Sequence, residues 1–139
     1  MITQAKFENT KELFSLESSV FSKNDFGLSL GSFYYHIRRN PIFIYKQNGK
    51  IIGYILWLKR KNHYRLYSLC INKEFQGMGI ATQLLTYSFD TLKIKKFTLE
   101  VKTTNKNAIK LYEKHNFKIK KVLKNYYPNN CDGYLMYRG

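Results

Sequence analysis

The chain has 139 residues, 44% of them apolar and 17% aromatic, with 24 Lys and Arg against nine Asp and Glu, a net charge of +15. That length and apolar content exclude a disordered tail and suit one domain with a real core. No run approaches the ~20 apolar residues of a membrane helix, and Met1 to Phe7 lacks the apolar segment of a signal peptide. The expectation is a single domain over residues 1–139 that is cytoplasmic and makes no membrane contact. Cys70 and Cys131 lie far apart in sequence, and His36, His63 and His115 fall at no ligand spacing, so neither a disulfide framework nor a metal site is expected.

In chain order, Phe7, Leu13, Phe14, Leu16 and Val20 recur at roughly helical spacing from Lys6 to Phe21, with Thr10 as the expected N-cap. Residues 24–39 read as a short second helix. Ile42 to Tyr45, then Asn48-Gly49, then Ile51 to Trp57 read as a hairpin, because Asn-Gly is a tight-turn dipeptide. Arg65 to Ile71 is a strand, Gly77 to Leu92 a helix and Phe97 to Lys102 a strand. Lys106 to Lys114 is a short helix capped by Asn105, and Lys118 to Leu123 and Tyr134 to Tyr137 are the closing strands. Interleaved helices and strands of this kind predict an α/β or α+β fold rather than a bundle or sandwich.

The charge has two readings. It fits an anionic partner such as RNA or a ribosome. It also fits drift in base composition, since 19 of the basic residues are Lys and 65 residues are Lys, Asn, Ile, Tyr or Phe, all with AT-rich codons. Along the sequence the charge is spread, with +7 in residues 1–70 and +8 in residues 71–139.

Two constellations carry chemistry. In the first, the strand ending Leu69-Cys70-Ile71 runs into Gln76-Gly77-Met78-Gly79-Ile80-Ala81-Thr82 and then a helix. The first N–H groups of a helix have no internal partner, and the helix dipole adds positive charge there, so small residues at that point let backbone close on an anion. The plain alternative is a tight turn that merely starts a helix. A dinucleotide-binding motif is excluded by the missing third glycine and by the length of the chain. In the second, Leu99-Glu100-Val101 precedes Asn105, Ala108-Ile109, Leu111-Tyr112 and Asn116-Phe117. Alternation puts Glu100 on one sheet face with Thr98 and Lys102. Ala108, Leu111, Tyr112 and His115 share a helix face, where Tyr112 could equally be core.

Gln76-x-x-Gly79-x-Ala81 resembles the cofactor signature of the GNAT N-acetyltransferases. The block from Leu99 to Phe117 resembles that of the protein N-terminal acetyltransferase branch, and Asn125-Tyr126-Tyr127-Pro128 with Asp132-Gly133 resembles the Tyr-rich hairpin of bacterial ribosomal-protein-alanine N-acetyltransferases. The three blocks cover about residues 65–137. The resemblance implies a GNAT fold: a mixed, mostly antiparallel sheet of six to seven strands with about four helices. It implies acetyl-CoA as co-substrate, no metal, and transfer to a protein N-terminal α-amine, with a ribosomal protein as the leading acceptor. Glu100 matches the base position and Tyr112 the general acid. Leu69, Cys70 and Ile71 match the strand that holds the pantetheine arm and polarises the acetyl carbonyl. Gln76, Gly77, Met78, Gly79, Ile80, Ala81 and Thr82 match the pyrophosphate loop, Asn105 a further cofactor contact, and Tyr126 and Tyr127 a clamp on the substrate N-terminus.

The departures are specific. Gly77 and Met78 stand where relatives often carry a basic residue, which shifts phosphate binding to backbone N–H groups with Lys73 or Lys106. Asn116 replaces a glycine at a helix end, where asparagine is the next-best residue for left-handed backbone. Cys70, with no base nearby in sequence, reads as a small strand residue rather than a nucleophile. The stop at Gly139 is expected to trim the last strand. Other acceptors remain open: a small amine, a lysine side chain or aminoacyl-tRNA. So does a non-catalytic RNA- or ribosome-binding role for the domain. A monomer or weak dimer is expected.

Overall fold

The computed structural model describes residues 1–21 and 27–139. Among them are seven strands and four α-helices, the mixed α/β architecture expected from the sequence: β1 (Ile2–Gln4), α1 (Thr10–Val20), α2 (Leu30–Arg39), β2 (Ile42–Gln47), β3 (Lys50–Lys59), β4 (Tyr64–Ile71), α3 (Ile80–Thr91), β5 (Phe97–Lys102), α4 (Lys106–Lys114), β6 (Lys118–Tyr127) and β7 (Cys131–Arg138). The described residues form two units, Met1–Lys59 with Tyr67–Thr91, and Arg60–Leu66 with Leu92–Gly139.

In the first unit the strand order is β1-β2-β3-β4. Asn48 and Gly49, at φ +53° and +76°, make the tight turn that joins β2 to β3 antiparallel. Strand β3 is buried from Ile51 to Leu58 because helices cover both of its faces. On one side Leu13 and Leu16 of α1 and Phe33 of α2 pack with Ile42, Ile44, Tyr54 and Leu56. On the other, Phe43 meets Tyr87 edge-on, and the indole N–H of Trp57 donates to the Ser88 hydroxyl at 2.9 Å.

Three local expectations need correction here. Strand β1 escaped the sequence reading because three residues hold no period; it is held by pairing with β2. Thr10 is not the cap of α1: a 3-10 turn over Phe7–Asn9 precedes the helix, and the Thr10 hydroxyl donates back to the Phe7 carbonyl at 2.5 Å. The second helix begins at Leu30, with Ser29 accepting from the Ser32 N–H; Asn24 to Phe26 of the expected segment lie outside the described residues.

In the second unit the order is β4-β5-β7-β6, with the opening of β4 parallel to β5 and the remaining pairs antiparallel. Strand β5 alternates as the sequence suggested: Phe97, Leu99 and Val101 are buried, while Thr98 and Glu100 are half-buried and Lys102 is exposed. Phe97, Leu99, Phe117, Met136 and Ile109 supply the apolar interior. Strands β6 and β7 are longer than predicted, β7 running eight residues to Arg138. Asn116 closes α4 with φ +68°, the left-handed backbone its identity suggested.

Candidate functional site

The first unit carries the predicted cofactor strand and loop. Cys70 is buried at the end of β4, between half-buried Leu69 and Ile71. Burial, and then the nearby Glu17 carboxylate, push its thiol up to about 12. It therefore stays protonated near neutral pH, which is the chemistry of a packing residue rather than a nucleophile. Past β4, the Asn72 side chain accepts from the Glu74 N–H and caps a short 3-10 turn over Lys73–Phe75. The Gln76 side chain then donates to the Ile71 carbonyl at 3.0 Å, so it staples the loop back onto β4.

Helix α3 starts at Ile80, three residues later than the sequence predicted. Gly77 and Gly79 interrupt it with φ +80° and +82°, a backbone that L side chains rarely adopt. A Cβ added at either glycine would meet nothing within 4 Å, so this side of the loop is open. The first bond of the helix runs from the Gln83 N–H to the Gly79 carbonyl at 3.1 Å. The N–H groups of Ile80, Ala81 and Thr82 lie ahead of it, at the positive end of a twelve-residue helix. Residues 76–82 include no basic side chain, and Met78 is 64% exposed. An extended anion would be held here by main chain, with Lys73 exposed on the preceding turn.

The second unit carries the titratable cluster. The parallel register sets Arg65 opposite Thr98, two residues before Glu100 on the same face. Arg65 reaches along that face and grips the carboxylate with both arms, Nε to Oε2 at 2.9 Å and Nη2 to Oε1 at 2.5 Å. The Tyr126 hydroxyl donates to Oε1 as well, at 2.7 Å. A carboxylate has about four lone-pair directions, so the acceptor capacity left is on Oε2. Arg65 was overlooked in the sequence. The signal was present: a basic residue opening the strand before the one that carries a lone carboxylate on its polar face.

Tyr126 and Tyr127 meet edge-on at 5.0 Å. Gly133 makes room for Tyr127, since a Cβ there would come within 2.9 Å of its ring. The hydrogen bond to Glu100 raises Tyr126 above the usual phenol value. Burial, and then Glu100, push Tyr127 up to about 12. Tyr112 on α4 packs edge-on against Phe117, and burial followed by Tyr127 pushes its hydroxyl up to about 12. Asn105 caps α4, its side-chain oxygen accepting from the Ala108 N–H at 3.2 Å. Among the described residues no group of three or more His, Cys, Asp or Glu could hold a metal ion, and no helix is long and apolar enough to cross a membrane.

The family description "Acetyltransferase (GNAT) family" matches residues 8–117. The chain belongs to the GNAT acetyltransferase family. It is 38% identical to the N-alpha-acetyltransferase of Saccharolobus solfataricus, over 69% of this chain and 67% of that protein. To the [Ribosomal protein bS18]-alanine N-acetyltransferase of Escherichia coli it is 29% identical, over 59% of this chain and 57% of that one. It thus spans about two thirds or less of the length of the curated relatives it matches. The crystal structure of the Escherichia coli ribosomal-protein-S18-alanine N-acetyltransferase has the same fold, with a TM-score of 0.90 at 23% identity, covering 99% of this chain and 92% of that one. GNAT enzymes are acyltransferases that use acetyl-CoA. The open glycine loop and the N–H groups at the start of α3 fit its pyrophosphate, provided the main chain rather than basic side chains makes the contact.

Proposed function

We propose that the chain is one acetyltransferase domain that transfers acetyl from acetyl-CoA to a protein N-terminal α-amine, with a ribosomal protein as the leading acceptor. The observation that carries this reading is the Glu100 carboxylate held in fixed orientation by Arg65 and Tyr126, in a chain 38% identical to an N-alpha-acetyltransferase. Acetyl-CoA, when bound, supplies an acetyl group activated as a thioester. The loop from Gln76 to Thr82 would hold its diphosphate through main-chain N–H groups, and Leu69 to Ile71 its pantetheine arm. Asn105 would add a further contact.

The base has a modest task. An α-amine has a pKa of about 8, so roughly a tenth is already neutral at pH 7, and completing the deprotonation costs only about 1.4 kcal/mol. The remaining acceptor position of Glu100 takes that proton directly or through a water. Tyr126 and Tyr127 would border the acceptor's first residue. Tyr112, pushed up to about 12, keeps its proton at working pH. Full transfer to a thiolate of pKa ~8.5 would cost about 5 kcal/mol, so Tyr112 serves chiefly as a hydrogen-bond donor to the departing sulfur.

The test is thiol release from acetyl-CoA over short peptides that differ in their first residues, with Glu100→Gln and Tyr112→Phe alongside. The expected result is release that depends on those residues and falls at least tenfold in each variant. No release on any peptide while acetyl-CoA still binds would overturn the N-terminal reading.

A further inference from the structure

The charge that looks even along the sequence is uneven in the fold. The second unit holds about two fifths of the residues but 15 of the 24 Lys and Arg, against three acidic residues, so +12 of the +15 resides there. The first unit holds nine basic and six acidic residues, +3. Drift in base composition would load the two units in proportion to length; the excess in the second unit is confined to the basic residues.

Thirteen of those 15 side chains are exposed, Arg65 and Arg138 being half-buried. Two rows stand out. Lys106, Lys110 and Lys114 follow one another at four-residue spacing along the exposed side of α4, and the first turn of that helix contains no acidic residue. Like charges at this spacing, and a cation at a helix N-terminus, each work against the helix by a few tenths of a kcal/mol. Strand β6 carries Lys118, Lys120, Lys121 and Lys124 with no acidic residue, and it pairs with β7 alone, at the edge of the sheet. Lys114 ends α4 and Lys118 opens β6 four positions later, so the two rows follow one another along the chain with only three residues between them. None of these seven lysines forms an ion pair among the described residues. Lysines on an edge strand guard against edge-to-edge pairing, but this role does not extend to the row on α4.

We propose that this surface of the second unit, from the exposed side of α4 onto β6, binds RNA through its phosphate backbone. Ten residues of β6 span about 33 Å, which suits a polymer of charges rather than one small anion. The choice of RNA over other polyanions rests on the reading of a ribosomal acceptor; the surface itself does not.

The experiment is anisotropy of a short fluorescein-labelled single-stranded RNA titrated with the protein between about 50 and 200 mM salt. A quartet variant changes Lys110, Lys114, Lys118 and Lys121 to Gln, and a control quartet changes Lys6, Lys11, Lys50 and Lys59 to Gln. Each lysine that contacts a phosphate contributes about 0.7 to the slope of log affinity against log salt. The first quartet should therefore lower the slope by about three and weaken binding at least tenfold at ~100 mM salt, while the control leaves both unchanged. Turnover of a short free peptide should persist in the quartet, so the RNA surface and the catalytic reading fail separately. A melting curve guards against misfolding; should the quartet melt early, the pair Lys118→Glu with Lys121→Glu replaces it, with the same expectation in direction. Failure to bind RNA, or equal loss in both quartets, overturns the proposal. So does binding to phosphatidylserine vesicles in place of RNA, or tighter binding of a DNA strand of the same sequence.

Discussion

Arg65 offers the sharpest test of how the candidate site is held. Its side chain is 32% exposed and that of Glu100 13%, so the pair is neither a screened surface contact nor fully buried. Removing one partner of a buried pair costs about 3–5 kcal/mol, and an exposed pair is worth under about 1; the intermediate exposure places Arg65→Ala near 2 kcal/mol. For a chain of this size that corresponds to a melting point lower by about 8 °C. Arg65→Lys keeps the charge but not the two-armed grip and should lie near half that loss. If the grip also aims Glu100, turnover should fall roughly tenfold in Arg65→Lys, equivalent to about 1.4 kcal/mol, with the peptide KM changing less than kcat. Thermal melts and steady-state kinetics on the same preparations read both effects. A melting point within about 1 °C of wild type in Arg65→Ala, or a Lys variant with full turnover, would refute the argument.

Two further outcomes follow from the interior of the first unit. Glu17 is 3% exposed and Tyr54 fully buried, and the Tyr54 hydroxyl donates to the carboxylate at 2.5 Å while lying 2.8 Å from the Ser68 hydroxyl. Tyr54→Phe leaves Glu17 with its bond from the Leu28 N–H and should cost about 2–3 kcal/mol in a denaturant melt; a loss under about 0.5 kcal/mol would mean the charge is satisfied without it. Cys70, raised from an ordinary 9.0 to about 12, binds its proton more tightly folded than unfolded. Its contribution is therefore whole below pH 9 and is lost as pH rises toward 12, by at most about 4 kcal/mol. Wild-type stability should fall more steeply than that of Cys70→Ala between pH 9 and 11; parallel curves would sink the assignment.

Segments governed by local chemistry were legible in the sequence. Asn48-Gly49 named its own turn, Asn105 its own cap, and the alternation of Phe97, Leu99 and Val101 set the polar face that carries Glu100. What depended on a distant partner was not. The start of α3 needed the backbone angles of Gly77 and Gly79. The end of β6, Lys124 to Tyr127, is exposed apart from half-buried Tyr127 and has no apolar period to announce a strand. Glu17, a helix carboxylate to the eye, is buried because a tyrosine 37 positions away meets it. Arg65 stands 35 positions from Glu100, and only the register of two parallel strands joins them. The net charge was legible as a sum; its asymmetry needed the division into units.

The strand order of the second unit has a consequence for assembly during synthesis. β7 comes last in sequence among its strands, yet it lies between β5 and β6 and pairs with both. Its Met136 is fully buried. Until those eight residues leave the exit tunnel, β5 and β6 have no common neighbour, and a chain stopped after the Tyr-rich hairpin would present two unpaired edges. Folding of this unit therefore waits on β7: the Lys-rich edge and the Glu100 cluster become complete structures only once that strand is threaded between its neighbours.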